Sequence, residues 1–234
     1  MDKKAGIWIT GASSGIGKAA VKEFIAIGCK VFASARRVPE LERLVDENNG
    51  SQTKIFPCNV ASQKNVEQTF KKIISEFEVN CLINNAGITS FKTVEENSIK
   101  ETDDIITTNL LGSIYTIKSV LPHMKKIGGG TIINVLSVVT EKTFLNSAVY
   151  TASKMGLLGY TKVLREEVRG YNIRVINIIP GATETPIWTN EMRKEKGERM
   201  MKPSSVARLI VSAFLQADNL VTEEIIVRPV QGDI

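Results

Sequence analysis

Short apolar runs of strand length recur along the chain, separated by longer stretches in which apolar positions return every three or four residues. "AGIWIT" (5–10), "KVFASA" (30–35), "TKIFPC" (53–58), "NCLINN" (80–85), "GTIINVLS" (130–137), "NIRVINII" (172–179) and "EEIIVRP" (223–229) read as seven strands. Residues 62–77 place Val66, Phe70, Ile73, Ile74 and Phe77 on one helical face, and residues 204–215 do so with Val206, Leu209, Ile210, Ala213 and Phe214. Alternation of such strands and helices predicts βα units and a parallel sheet. Because the strands are apolar throughout, both faces of the sheet must be covered by helices, as in a doubly wound α/β fold.

One segment interrupts this rhythm. Residues 180–202, "PGATETPIWTNEMRKEKGERMMK", are polar, charged and too long for a minimal connection. They follow the sixth strand at its carboxyl end, where open α/β sheets bind ligands, so residues 182–202 read as a lid. At 234 residues, with no repeat or linker, the chain is expected to form one domain.

Composition narrows the function classes. With 43% apolar and 24% charged residues the chain is neither disordered in character nor a membrane protein. "MDKKAGIWIT" enters a strand-like run with no signal-peptide core, which predicts a cytoplasmic location. Cys29, Cys58 and Cys81 stand apart among apolar neighbours and read as reduced, buried thiols; with His123 the single histidine, no metal site is expected. The net charge of +5 is dispersed and accompanies no nucleic-acid module, so no nucleic-acid partner is expected.

"ITGASSGIGKAAVKEF" leaves the first strand and opens a helix, the position at which a dinucleotide pyrophosphate is received. Gly11 would allow the tight turn, Gly15 the approach of backbone to phosphate and Gly17 close helix packing, with Ser13, Ser14 and Ile16 between them. The second strand ends in "ASARR", where a carboxylate would grip the ribose hydroxyls of NAD and an arginine accommodates a 2′-phosphate. Arg36 and Arg37 therefore point to NADP(H) rather than NAD(H).

With "TGASSGIG" (10–17), "NNAG" (84–87), Asn109, Ser137, Tyr150 with Lys154, and "PGATET" (180–185) in this order, the sequence resembles the short-chain dehydrogenase/reductase family along essentially its whole length. The resemblance implies a seven-stranded parallel Rossmann-type sheet, a cofactor half over about 1–130 and a catalytic and substrate half over about 131–234. It implies a catalytic tetrad of Asn109, Ser137, Tyr150 and Lys154 and hydride exchange between a nicotinamide and a carbonyl or alcohol. It places Asn85, Ala86 and Gly87 beside the adenosine, and Pro180, Gly181, Thr183 and Thr185 around the nicotinamide end. It also implies a homodimer or homotetramer with contacts around residues 98–125 and 149–169. Asn59-Val60 departs from the aspartate and hydrophobic pair common in the family near the adenine, though an asparagine still offers a donor and an acceptor.

Tyr150 and Lys154 lie one helical turn apart. A tyrosine can deliver the proton that carbonyl reduction requires, and an ammonium nearby is expected to lower the phenol's pKa toward working pH. Ser137, at the end of the fifth strand, can donate to the substrate oxygen, and the family assigns Asn109 to a water-borne proton relay past Lys154. Trp188, Met192, Met200 and Met201 are candidates for an apolar substrate pocket or an oligomer contact. The expected activity is reduction of a ketone or 3-oxoacyl compound, and the alternative is a catalytically silent dinucleotide-binding sensor.

Overall fold

The computed structural model describes residues 6–47, 52–216 and 219–234. The opening residues read for an export signal, and Ala5 of the first expected strand, lie outside the described residues. Strands β1 (Gly6–Thr10), β2 (Lys30–Ser34), β3 (Thr53–Ile55), β4 (Cys81–Asn84), β5 (Gly130–Val135), β6 (Ile173–Pro180) and β7 (Glu224–Val227) form one sheet in the order β3-β2-β1-β4-β5-β6-β7. Every pairing is parallel. The helices are α1 (Gly15–Ala26), α2 (Val38–Asp46), α3 (Gln63–Ile74), α4 (Ile99–Ile106), α5 (Gly112–Lys126), α6 (Ala148–Val168), α7 (Asn190–Lys196) and α8 (Pro203–Phe214). A π-helical turn, Thr107–Leu111, joins α4 to α5.

Successive strand residues feed opposite faces. Ile7 and Ile9 of β1 pack with Val21 and Phe24 of α1 and with Val206 and Ile210 of α8, while Trp8 between them packs with Val66 and Phe70 of α3 and Ile117 of α5. Phe24 meets Phe214 edge-on, with centroids 5.4 Å apart, and Trp8 stacks on Phe70 at the same separation. Complete burial of side chains this size contributes about 2–3 kcal/mol each relative to exposure. The indole N–H of Trp8 donates to Ser34 Oγ at 2.9 Å, so its polar edge is satisfied.

The expected strands 53–58 and 130–137 end early. Phe56 and Cys58 still donate to the carbonyls of Ala33 and Ala35, and Pro57 between them falls on the outward side of this edge strand, where its missing N–H costs no ladder bond. After Val135 the chain leaves the sheet, and Ser137 caps a 3₁₀ turn, Val138–Thr140, by accepting from the Val139 N–H. All three cysteines are free and buried. Among the described residues, no helix is long and apolar enough to cross a membrane.

The sheet interior carries a polar rung that the alternation pattern does not reveal. Asn84, Asn134 and Asn177 are aligned by the pairing of β4, β5 and β6. Asn84 Nδ2 donates to Asn134 Oδ1 at 3.0 Å, and Asn134 Nδ2 donates to Asn177 Oδ1 at 3.2 Å. Thr116 of α5 closes one end on Asn84 Oδ1, and Thr161 of α6 closes the other by accepting from Asn177 Nδ2. Each amide is buried and each is used on both its donor and acceptor sides, the condition under which a polar group stabilises a core.

Candidate active site

The loops that leave β1 to β6 at their carboxyl ends enclose a cavity of about 610 Å³. Its glycine-rich end is shaped by Gly11 and Gly15, at φ +65° and +54°, a left-handed backbone that glycine adopts without strain. Asn85 Nδ2 donates to the carbonyls of Thr10 and Gly11, both at 3.1 Å, so "NNAG" clamps the turn from the neighbouring strand. A Cβ at Gly15 would come within 3.0 Å of Thr185, which closes the turn from the other side. Gly17 lies behind the turn, where a Cβ would meet the Gly11 carbonyl at 2.3 Å; it packs the helix and does not line the cavity.

Helix α1 begins here with no side-chain cap and no acidic residue in its first turn, so its first N–H groups and positive end are available to an anion. Arg37 donates to the hydroxyls of Ser13 and Ser14 at 3.0 and 2.9 Å, tying β2 to the turn. Arg36 lines the cavity, exposed and without a hydrogen-bond or ion-pair partner among the described residues. Asn59 and Val60 also line it. The Asn59 oxygen is already accepting from the Ala61 N–H at 3.2 Å, which leaves its amide nitrogen for a ligand.

Ser137, Tyr150 and Lys154 converge on the middle of the same cavity. Tyr150 and Lys154 stand on α6, with Nζ 5.8 Å from the phenol ring centroid. Lys154 is 4% exposed and donates to the Val135 carbonyl at 2.8 Å, at the point where β5 leaves the sheet. Burial pushes the Tyr150 phenol up to about 12, while the Ser137 hydroxyl acts in the opposite direction. Burial also pushes Lys154 down to about 8. Burial sets the direction at the Tyr150 phenol, opposite to the lowering expected of Lys154, whose ammonium lies 5.8 Å from the ring centroid.

Asn109 sits on the π turn and is completely buried. Its Oδ1 accepts from the Ile88 N–H at 2.9 Å, and its Nδ2 donates to the Ile88 carbonyl and to Ser153 Oγ, at 2.9 and 3.0 Å. The side chain is therefore committed to fixing the loop after β4 against α6, and it does not line the cavity. A Cβ at Gly87 would lie 3.4 Å from Asn109 Oδ1 and 3.7 Å from Lys154 Nζ, which places this loop directly against both groups.

The sequence model of the short chain dehydrogenase family matches residues 5–196. The chain belongs to that family. It is an oxidoreductase. Sepiapterin reductase of Chlorobaculum tepidum is 31% identical over 97% of this chain and 96% of that protein. The closed form of serine dehydrogenase, solved with NADP+, superposes with a TM-score of 0.92 at 25% identity, covering 98% of this chain and 96% of that one. A 3-ketoacyl-(acyl-carrier-protein) reductase from Brucella melitensis, solved with NADH, gives a TM-score of 0.90 at 27% identity, covering 98% and 99%.

The cavity is also lined by residues that no motif announced, among them Phe91, Phe144, Leu145 and Asp233. Phe91 stacks on Trp188 with centroids 4.9 Å apart and planes 12° apart, and Trp188 is held by its indole N–H on the Thr183 carbonyl at 3.0 Å. Of the four suggested lid residues only Trp188 lines the cavity; Met201 pairs with Thr183 and packs on the core, and Met200 is buried.

Proposed function

We propose that the protein is an NADP(H)-dependent reductase of a ketone or 3-oxoacyl compound. The observation that carries this reading is the convergence of Ser137, Tyr150 and Lys154 on a cavity whose other end is an uncapped helix N-terminus with a free guanidinium. The left-handed glycine turn fits a pyrophosphate, since a Cβ at Gly15 would crowd Thr185. Arg36 fits a 2′-phosphate, whereas a carboxylate would be needed to hold the bare ribose diol of NAD. When bound, the nicotinamide supplies the hydride.

The chain's residues supply the rest. Gly11, Ser13, Ser14, Gly15 and Ile16 receive the pyrophosphate, while Asn59, Val60, Asn85, Ala86 and Gly87 flank the adenosine side. Pro180, Gly181, Thr183 and Thr185 border the nicotinamide end. Ser137 donates to the substrate oxygen and Tyr150 protonates it. The phenol is protonated at neutral pH and can give its proton to a developing alkoxide as carbonyl reduction requires. Lys154, held near 8, restores that proton and orients the cofactor ribose. Asn109 is assigned as a positioning residue, because its amide is fully spent on Ile88 and Ser153.

The same reading makes the chain one domain, with a cofactor half over about 1–130, a catalytic half over about 131–234 and a lid at 182–202. A homodimer or homotetramer is supported by Ile99, Met155 and Val163, which stay exposed on α4 and α6; a monomer in sedimentation at micromolar concentration would remove that part. The central test is NADPH oxidation with a panel of ketones, diketones and 3-oxoacyl thioesters, for wild type and Tyr150→Phe. NADPH consumption that disappears in the variant, with cofactor binding retained, supports the mechanism. Cofactor binding without turnover of any carbonyl returns the sensor alternative.

A further inference from the structure

The loop that joins Ser137 to Tyr150 has one distant polar anchor. It leaves the sheet through the 3₁₀ turn Val138–Thr140, where the N–H groups of Glu141 and Lys142 both donate to the Val138 carbonyl at 3.0 Å. It enters α6 through Ser147, whose hydroxyl donates to the Phe144 carbonyl at 2.7 Å. Among the described residues, the hydrogen bonds of residues 141–147 stay within 137–151 with one exception: Lys142 Nζ donates to Asp233 Oδ2 at 3.1 Å. Phe144 and Leu145 of this loop line the same cavity as Ser137 and Tyr150. Phe144 packs against the cluster of Leu136, Val138 and Leu158, but Leu145 is 89% exposed, so packing alone holds little of the loop's tip.

The far side of this contact is a made anchor. Beyond β7 the Gly232 N–H donates to the Pro229 carbonyl at 2.9 Å, and Gly232 takes φ +84°, a left-handed conformation open to glycine without strain. That turn brings Asp233 back to Arg228, which donates to the same Oδ2 at 2.5 Å. Arg199, from the 3₁₀ turn Gly197–Arg199 after α7, donates to the Asp233 carbonyl at 3.4 Å. An ion pair between exposed side chains holds little. Here the Asp233 side chain is only 13% exposed and one of its oxygens serves two cations, so solvent and salt screen the contact less. A residue needed only to close the tail would be satisfied by Arg228, five positions away; Lys142 is reached across 91.

Building on the reductase reading above, we propose that Asp233 is a positioning residue: by holding Lys142 it fixes the loop between the two catalytic residues, and with it Phe144 and Leu145, as one wall of the substrate cavity. Ser137 and Tyr150 are themselves set by the end of β5 and by the long helix α6, whatever the loop does. The anchor therefore acts on where the body of the substrate rests, and leaves the proton transfer and the cofactor site as they are.

The test reads the loop first and turnover second. Hydrogen–deuterium exchange is measured by mass spectrometry, with NADP+ present, for wild type, Asp233→Asn, Lys142→Met and the double variant. In each variant the peptide covering 138–147 should exchange about tenfold faster, the size of one charge-assisted contact to a mostly buried carboxylate, while peptides from β1 and α1 keep the wild-type rate. The double variant should be no faster than Asp233→Asn, because both substitutions cut the same tie. With 1-phenyl-1,2-propanedione as substrate, the KM for the diketone should rise about tenfold, with kcat and the KM for NADPH within about twofold of wild type. Melting temperature and NADP+ affinity near wild type establish folding; should Asp233→Asn not fold, Lys142→Met, an exposed position, carries the test. Unchanged exchange at 138–147, additive effects in the double variant, faster exchange throughout the sheet, or a loss confined to kcat overturns the proposal. If wild type binds NADP+ and turns over no carbonyl, the exchange data alone decide the role of Asp233 and only the reductase reading falls.

Discussion

At the glycine-rich end of the cavity the wall is mostly backbone. Gly11 and Gly15 turn through left-handed conformations, the first N–H groups of α1 point outward, and Asn85 braces the turn by two hydrogen bonds to main-chain carbonyls. Elsewhere the wall is side chains from four separate segments: Phe91 after β4, Phe144 and Leu145 after β5, Trp188 after β6 and Asp233 beyond β7. A backbone site recognises what every ligand of its class shares, a phosphate, and tolerates few changes of residue type. A side-chain site can be rebuilt one residue at a time without disturbing the sheet beneath it, which is why fold leaves the substrate open.

That contrast is sharpest where the two ends meet. Tyr150→Phe removes the proton donor but leaves both walls intact, so kcat should fall by about 10²–10⁴-fold with little change in the KM for NADPH or ketone. Steady-state kinetics checks this, and a parallel rise in either KM would mean that the hydroxyl also binds.

Arg36→Ala should act on one end alone. The KM for NADPH should rise about tenfold, the size of one solvent-accessible charge-assisted hydrogen bond, while that for NADH and for the ketone stays put. If NADH suffers equally, Arg36 shapes the loop after β2 and does not read the phosphate.

Asn134→Ala should affect both ends together, because the rung lies beneath the carboxyl ends of β4, β5 and β6. It strands the Asn84 donor and the Asn177 acceptor and should lower the unfolding free energy by about 2–3 kcal/mol, measured by urea denaturation. Folded enzyme should keep both KM values; a selective change in one would show that the rung steers that wall.

The smallest effect is expected at a site remote from both ends. His123 Nε2 accepts from the Val79 N–H at 3.2 Å and its ring meets Phe70 edge-on, so burial holds its pKa below the usual 6.5. The neutral ring is the form the fold favours. Below pH 6.5 the unfolded chain takes up this proton first, so the stabilisation is complete above that pH and declines as pH falls further. His123→Gln should flatten the slope of stability below about pH 6.5 without altering kinetics at pH 7; an unchanged slope would place the titration elsewhere.

Much of this molecule was legible before folding. The period-two and period-3.6 patterns marked the strands and helices to within a few residues, since burial on both sheet faces constrains every strand position. Gly11, Gly15, Tyr150 and Lys154 could be named because their spacing is local: a turn and one helical turn fix their geometry without help from distant segments. Arg36 and Arg37 could both be picked out in the sequence as candidates, but only the fold divides them: Arg37 bonds Ser13 and Ser14, while Arg36 has no hydrogen-bond or ion-pair partner among the described residues.

What tertiary structure alone decided depends on long-range placement or on desolvation. The asparagine rung exists because parallel pairing sets three distant amides side by side, and no spacing along the chain encodes that register. The amide of Asn109 is consumed by a loop twenty-one residues away in sequence. Burial, a property of the packed state, raises the Tyr150 phenol, where the sequence alone suggested a lowering. Asp233 was an ordinary acidic residue until the fold paired it with Lys142 and Arg228, from two other segments of the chain. Sequence determines a group's chemistry and its local neighbours; the solvent and the distant partners that tune that chemistry are supplied only when the chain closes around it.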